Sequence, residues 1–371
     1  MKKQSIMRNG QDHMINLAEK NLCTGCGACE AACPQNAITL KPDKEGFLYP
    51  TIDESLCNQC ALCTKTCPVL NHTPANSSNA CFGAHAKEDD IRLLGSSGGI
   101  FPLLALHVLQ DDGAVFGAAL SQDGSVTHMG IDHPDQLTKI TRTKYVQSTL
   151  SGVWESIRDL LEKGHTVLFC GTPCQSEGLR SYLKKEYDNL LLLDLICYGV
   201  TSPGIWHSYI QFLENRYGQK LHNFFFRDKC RRDNGHSVKI QFKDKELSYS
   251  IYKDPYLRSY FRNINIRPSC YQCRHCQLSR NSDLTLGDFW GIERVNPAFD
   301  DGMGNSLLIC HTPKGRLLFD RIKMDTEWFP CTEADALQPR LKEPTKRPLL
   351  RQIYMGLYHR LPFSSWIRLF K

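Results

Sequence analysis

The 371-residue chain has no run approaching the roughly 18 uninterrupted apolar residues that a membrane-spanning helix needs. Leu190–Ile196 begins such a run, and Asp194 breaks it. Met1–Asn21 carries Lys2 and Lys3 but no apolar core, so no signal peptide is expected there. No G-x-G-x-x-G follows an expected strand and no Walker A sequence occurs, which leaves a Rossmann nicotinamide site and a P-loop without support. An excess of one charge is also lacking over most of the chain. There are 45 Lys+Arg against 39 Asp+Glu, a net +6. Residues 341–371 hold all of that excess, with Lys342, Lys346, Arg347, Arg351, Arg360, Arg368 and Lys371 against Glu343. The balanced remainder gives no general nucleic-acid-binding field. With 41% hydrophobic and 23% charged residues, the chain is not mostly disordered, collagenous or a coiled coil, and its length suits two or three domains.

What abounds is cysteine. There are 18, and they cluster. In a long chain without an expected signal this points to metal binding or redox chemistry in a reducing cytoplasm, not to a disulfide framework. Cys23, Cys26, Cys29, Cys33 and Pro34 form C-x2-C-x2-C-x3-C-P, and Cys57, Cys60, Cys63, Cys67 and Pro68 repeat it. Three thiolates at two-residue intervals wrap one corner of an iron–sulfur cube. The fourth, one helical turn on, points away and ligates the other cluster in two-cluster ferredoxins. Cluster A is therefore assigned to Cys23, Cys26, Cys29 and Cys67, and cluster B to Cys57, Cys60, Cys63 and Cys33. A zinc ribbon uses pairs of C-x2-C and does not call for eight cysteines in two identical runs. Pro34 and Pro68 should end short helices, and Ala37–Leu40 with Phe47–Ile52 suit a strand pair.

A third run, Cys270, Cys273 and Cys276, lacks a fourth cysteine nearby. Cys174 or Cys197, at expected strand ends, could complete a third 4Fe-4S cluster, whereas zinc with His275 or a distant Cys is the competing reading. Cys81, Cys170, Cys230, Cys310 and Cys331 stand apart and read as buried hydrophobes.

Residues 1–70 are expected to form the two-cluster ferredoxin domain, an α+β unit, and the Ser/Asn-rich stretch 71–80 a linker. From residue 81 to about 335, expected strands (Ala114–Leu120, Thr166–Cys170, Leu190–Cys197) alternate with expected helices (Gly98–Leu109, Leu150–Lys163, Ser176–Lys185, Ile205–Tyr217). That alternation predicts an α/β domain with a mixed, largely parallel sheet. Phe224–Arg227, Ser237–Phe242 and Glu246–Ile251 read as further strands, as do Leu284–Phe289 and Ser306–His311. Residues 336–371 form a basic amphipathic tail. Its Arg351, Arg360 and Arg368 interleave with Ile353, Tyr354, Trp366, Ile367 and Phe370, which suits a helix packed on its own domain, or contact with a membrane surface or partner.

Three Gly/Ser/Thr loops, at residues 95–99, 171–175 and 287–291, flank expected strands or helices, where free N–H groups suit a phosphate or flavin oxygen. Gly95-Ser96-Ser97-Gly98-Gly99 also fits the G-x-S-x-G of hydrolases, but the charged stretch Glu88–Arg92 upstream is no buried strand.

The runs SSGGIF (Ser96–Phe101), TKYVQS (Thr143–Ser148), GTPCQSEGL (Gly171–Leu179) and RPSCYQCRHCQLSRNSDLTLGDFWGI (Arg267–Ile292) resemble the coenzyme F420 hydrogenase/dehydrogenase beta-subunit family. LICYGVTSP (Leu195–Pro203) does too, with Tyr198 where His is expected. The resemblance spans Leu22 to about Gly315 and implies an iron–sulfur flavoprotein oxidoreductase. Its members pass electrons between 4Fe-4S clusters and, through FAD, an organic acceptor such as coenzyme F420. It implies a flavin site at Ser97, Gly98, Lys144, Gln147, Thr172 and Gln175. Lys144 is expected near the flavin pyrimidine or a phosphate, while Asp283 and Asp288 could orient a loop or cap a helix. The expected partners are a redox protein, either a ferredoxin or an oxidoreductase subunit, and a small-molecule acceptor. No paired cysteines frame a hydrogenase metal site, so hydrogen activation would belong to another subunit. An electron-transfer subunit without substrate chemistry, or a non-catalytic redox sensor, is the alternative.

Overall fold

The structure, a computed structural model, describes residues 15, 17–75, 79–229 and 236–371. Cys230, part of the expected linker and most of Met1–Asn21 lie outside the described residues. Among the described residues no helix is long and apolar enough to cross a membrane.

The N-terminal unit pairs β1 (Ile38–Pro42) with β2 (Leu48–Ile52) antiparallel, Ile38 opposite Ile52. Each three-cysteine loop leads into one short helix, Ala28–Ala31 or Leu62–Thr66. The two loops repeat even in backbone strain. Gly25 and Gly27 have φ of 69° and 76°, and the positions 34 residues on, Gln59 and Ala61, both have φ of 59°. Left-handed backbone costs glycine little and other residues about 1–2 kcal/mol. The second loop bears that cost to wrap its thiols inward.

The larger unit contains β3 (Ala80–Ala86), β4 (Ala114–Leu120), β5 (Val126–Ile131), β6 (Val167–Gly171), β7 (Leu190–Leu195), β8 (Leu221–Asp228), β9 (Ser237–Phe242), β10 (Glu246–Ser250), β11 (Leu284–Asp288), β12 (Ser306–Cys310) and β13 (Thr326–Cys331). Eight of them form one sheet in the order β13-β3-β12-β11-β7-β6-β4-β5. The largely parallel sheet expected from the sequence is corrected here. Three pairings, β4–β6, β6–β7 and β7–β11, are parallel, and the other four are antiparallel. Helical crossovers join the central strands. β5, which the sequence reading missed, instead returns on β4 through a tight turn closed by Ser121 N donating to Ser125 O. Apolar runs look alike in either direction, so the outer strands gave no directional signal. β8, β9 and β10 form a separate antiparallel sheet.

Successive residues of the large sheet feed opposite cores. Val115 and Leu168 pack toward helices Ile100–Gln110 and Pro313–Ile322, while Phe116, Val167 and Phe169 pack toward helices Val153–Glu162 and Pro173–Leu183. A third core joins the small sheet to helix Pro203–Tyr217 and the C-terminal tail. Trp366, Ile367 and Phe370 are fully buried there, whereas Leu349 and Ile353 are exposed. The buried Arg351 ties the tail to the N-terminal unit through Glu45 at 2.6 Å. Of the isolated cysteines, Cys81 and Cys310 are buried and Cys170 and Cys331 partly so.

Candidate functional site

The eight N-terminal thiols divide between two small hollows. Cys23, Cys26, Cys29 and Cys67 line one, and Cys33, Cys57, Cys60 and Cys63 line the other. Each three-cysteine loop thus shares a hollow with the fourth cysteine of the opposite run. Burial, with repulsion from neighbouring thiols, pushes Cys26 up to about 12 and raises Cys29 as well. Such sulfurs become thiolates only beside a compensating cation. Among the described residues, no three Cys, His, Asp or Glu side chains close on one point as ligands of a single ion do. The thiols ring their hollows instead, which is the arrangement a multi-iron cube fills.

The first hollow is held against the larger unit. Trp154 Nε1 donates to Cys26 O at 3.0 Å, and Arg267 Nε donates to Cys23 O at 2.9 Å. Gly178, inside helix Pro173–Leu183, backs onto Cys26: a Cβ there would lie 2.8 Å from Cys26 Cβ and 3.0 Å from its Sγ. Gly178→Leu should therefore wedge the helix off the cysteine loop, at about 1–3 kcal/mol of overpacking. The expected result is a lowered Tm together with lost iron from cluster A. The second hollow lies at the surface, with Cys60 exposed.

The third run lies beyond this contact. Cys270 sits in the turn Pro268–Gln272, and Cys197 follows the carboxyl end of β7. Cys197 is raised first by burial and then by Cys270, Cys174 and Cys273, so five thiols with Cys276 form one group. Cys174 feels Cys26 on its other side and so spans from the first hollow to this group. His275, the alternative zinc ligand, lies 3.3 Å from the buried Glu177. Arg280 is nearly fully buried, and its Nε and Nη1 have no hydrogen-bond partner. Its ion pair to Asp194 is loose, at 3.8 Å, and its charge reaches both Cys273 and Cys276. Orphaned buried donors beside a thiol group suit an anionic sulfide cluster, whose sulfurs accept hydrogen bonds.

The same Cys197 also lines a cavity of about 780 Å³ at the carboxyl ends of β6, β7 and β11, where ligands of α/β sheets bind. Of the expected flavin residues, Ser97, Lys144, Thr172 and Gln175 line it. Thr172 caps helix Pro173–Leu183 in a capping box with Gln175, whose Nε2 donates to Ser148 Oγ at 2.9 Å. Lys144 Nζ donates to Thr141 O at 2.6 Å, and burial lowers it to about 7. Gly98 and Gln147 are placed elsewhere. Gly98 is pressed against the backbone, where a Cβ would lie 2.5 Å from Ala84 O and 2.9 Å from Ser306 N. Gln147 turns to the first hollow, donating to Thr24 O and accepting from Arg267. Asp288 pairs with Arg227 across the cavity wall, while Asp283 accepts from Leu192 N and Thr312 Oγ1. Arg142, Arg227, Tyr252 and Arg340 also line the cavity. The sequence reading passed over them, since single residues on separate strands and loops carry no spacing signal.

Two family models match segments of the chain. Residues 22–71 match the 4Fe-4S dicluster domain, and residues 164–329 match the family described as the carboxyl terminus of the Coenzyme F420 hydrogenase/dehydrogenase beta subunit. The chain is thus a ferredoxin-like domain holding two 4Fe-4S clusters, fused to a domain resembling the carboxyl-terminal part of that beta subunit. The two matches together point to an iron–sulfur oxidoreductase with electron-transfer chemistry, whose larger domain is similar to the F420 hydrogenase/dehydrogenase beta subunit. Among solved structures, a chain of the F420-reducing NiFe hydrogenase complex from Methanosarcina barkeri is 16% identical, covering 78% of this chain and 91% of that one, with a TM-score of 0.44. The comparison with curated proteins gave no match.

Proposed function

We propose that this chain is a cytoplasmic enzyme that carries single electrons between a redox protein docked at the exposed cluster B and an organic acceptor in the large cavity. The relay runs through cluster A and a third 4Fe-4S cluster held by Cys270, Cys273, Cys276 and Cys197, to FAD in the cavity. The observation that carries this reading is the double position of Cys197, within the third thiol group and in the cavity wall. Bound FAD would supply the exchange between single electrons and a hydride. The chain's own residues do the rest. Lys144, Arg142 and Arg340 line the cavity with positive charge suited to a phosphate-bearing ligand. Lys144 Nζ, with a proton affinity near neutrality, can hold or release a proton at the cavity wall. The acceptor is coenzyme F420 or another small molecule. We assign residues 1–70 to the ferredoxin domain, 71–80 to a linker, 81–335 to the flavin domain and 336–371 to the tail.

The test is anaerobic purification with iron, sulfide, zinc and flavin measured on one sample. About twelve iron and one FAD per chain support the proposal, whereas about eight iron would leave the Cys270 run to zinc or nothing. Absence of flavin after reconstitution with FAD overturns it. Full loading with no turnover except in a stable complex would favour the electron-transfer subunit.

A further inference from the structure

Arg267 is fully buried, and among the described residues it forms no ion pair with a carboxylate. Its Nε donates to Cys23 O at 2.9 Å, one terminal nitrogen to Gln147 Oε1 at 2.7 Å, and the other to Leu48 O at 2.9 Å. That last nitrogen also lies 3.8 Å from Cys23 Sγ. The guanidinium sits over the Tyr49 ring at 4.2 Å and the Phe47 ring at 5.7 Å. Neutral oxygens and ring faces do not neutralise a buried cation, and an unpaired buried charge is costly. The anionic group at hand is the Cys23 thiolate and the cluster it would ligate.

Cluster B is differently placed. Cys60 is exposed, and in its loop the neutral Asn58 accepts from Cys60 N at 3.2 Å. An exposed cluster has water to stabilise the electron it gains. A buried cluster loses that help, and its reduced form, one negative charge richer, becomes harder to reach.

We propose that Arg267 is a positioning residue for cluster A: it fixes the Cys23 limb and raises the cluster's reduction potential, offsetting burial so that the inner cluster can exchange electrons with the outer one. The inference rests on the cluster assignment above. In the step it serves, cluster B loses one electron and cluster A gains it, with no bond broken and no proton needed. The cation stabilises the added charge on cluster A. Its field also reaches Cys174 and Cys270, so it stands between cluster A and the third thiol group.

The test uses the full, cluster-loaded chain as wild type, Arg267→Gln and Arg267→Lys, with iron and sulfide counted on each. Reduction is followed by EPR against potential, and Cys60→Ser identifies the cluster B signal. At the wild-type midpoint of cluster A, Arg267→Gln should lower the reduced-to-oxidised ratio about tenfold, a shift of about 59 mV for one electron. Cluster B should not move, and Arg267→Lys should recover part of the shift. A fully loaded Arg267→Gln protein with an unmoved cluster A midpoint, or equal shifts in both clusters, overturns the proposal. If Arg267→Gln does not load, Gln147→Leu removes the partner at 2.7 Å. It should then give a smaller shift of the same sign, and no shift overturns the proposal. A wild-type chain that takes up no iron overturns the cluster reading as well, whereas full loading with unmoved midpoints overturns this inference alone.

Discussion

Cys197→Ser should take the chain from about twelve iron to about eight and leave the cavity cut off from the ferredoxin domain. Reduction of the acceptor by reduced ferredoxin should fall by at least about 100-fold, since removing one link of a serial electron path stops the whole path. Flavin content should hold, because the cavity wall keeps its shape around a serine. Chemical reduction of the bound flavin by dithionite should also survive. Cys174→Ser is the matched control, since Cys174 belongs to the same thiol group. If Cys174→Ser lost four iron and Cys197→Ser lost none, the fourth ligand would be Cys174. Iron analysis and steady-state rates on the same samples decide the matter.

Lys144→Met should weaken binding of FAD to the flavin-free chain by about 10–100-fold at pH 6, or about 1.4–2.8 kcal/mol. Burial, the largest cause, holds Lys144 at about 7, so it is charged below that pH and neutral above it. An anionic ligand favours the charged form. Wild-type affinity should therefore be highest below pH 7 and fall as pH rises through it, by up to about tenfold per unit. His128, also in the wall, is held at about 4 by burial and stays neutral across this range. The substituted chain should bind with a flat profile from pH 6 to 8, measured by fluorescence quenching. A stability effect accompanies this. The unfolded lysine keeps its proton between about 7 and its ordinary value while the folded one does not, so wild-type stability should rise with pH across that window.

The cysteine repeat was legible because the ligand geometry of a cube dictates spacing within a few residues of chain. The central strands were legible for a similar reason, since β6 and β7 are short apolar runs bounded by turns. Strand direction was not, because it depends on which partner a strand meets. Pairings such as Leu308 of β12 with Phe82 of β3 join residues more than 200 positions apart. The cavity residues divide in the same way. Thr172 and Gln175 belong to one local capping box. Gln147 sits among cavity-lining neighbours yet faces the cysteine hollow, because its orientation is set by Thr24 and Arg267 from distant parts of the chain. Arg340 and Tyr252 reach the cavity only through tertiary folding.

The contacts that close over the first cysteine hollow are synthesised late. Cys67 completes the eight thiols, whereas Trp154 and Arg267 come from further along the chain. Arg267 follows Cys67 by 200 residues. At about 5–20 residues per second that interval lasts roughly 10–40 s on the ribosome. Throughout it, both sets of thiols are present before the larger domain is complete enough to cover them. Iron delivery to cluster A therefore has a natural time window before the rest of the protein shuts over it. Slow iron supply would trap folded chains that are loaded at the exposed cluster and empty at the inner one.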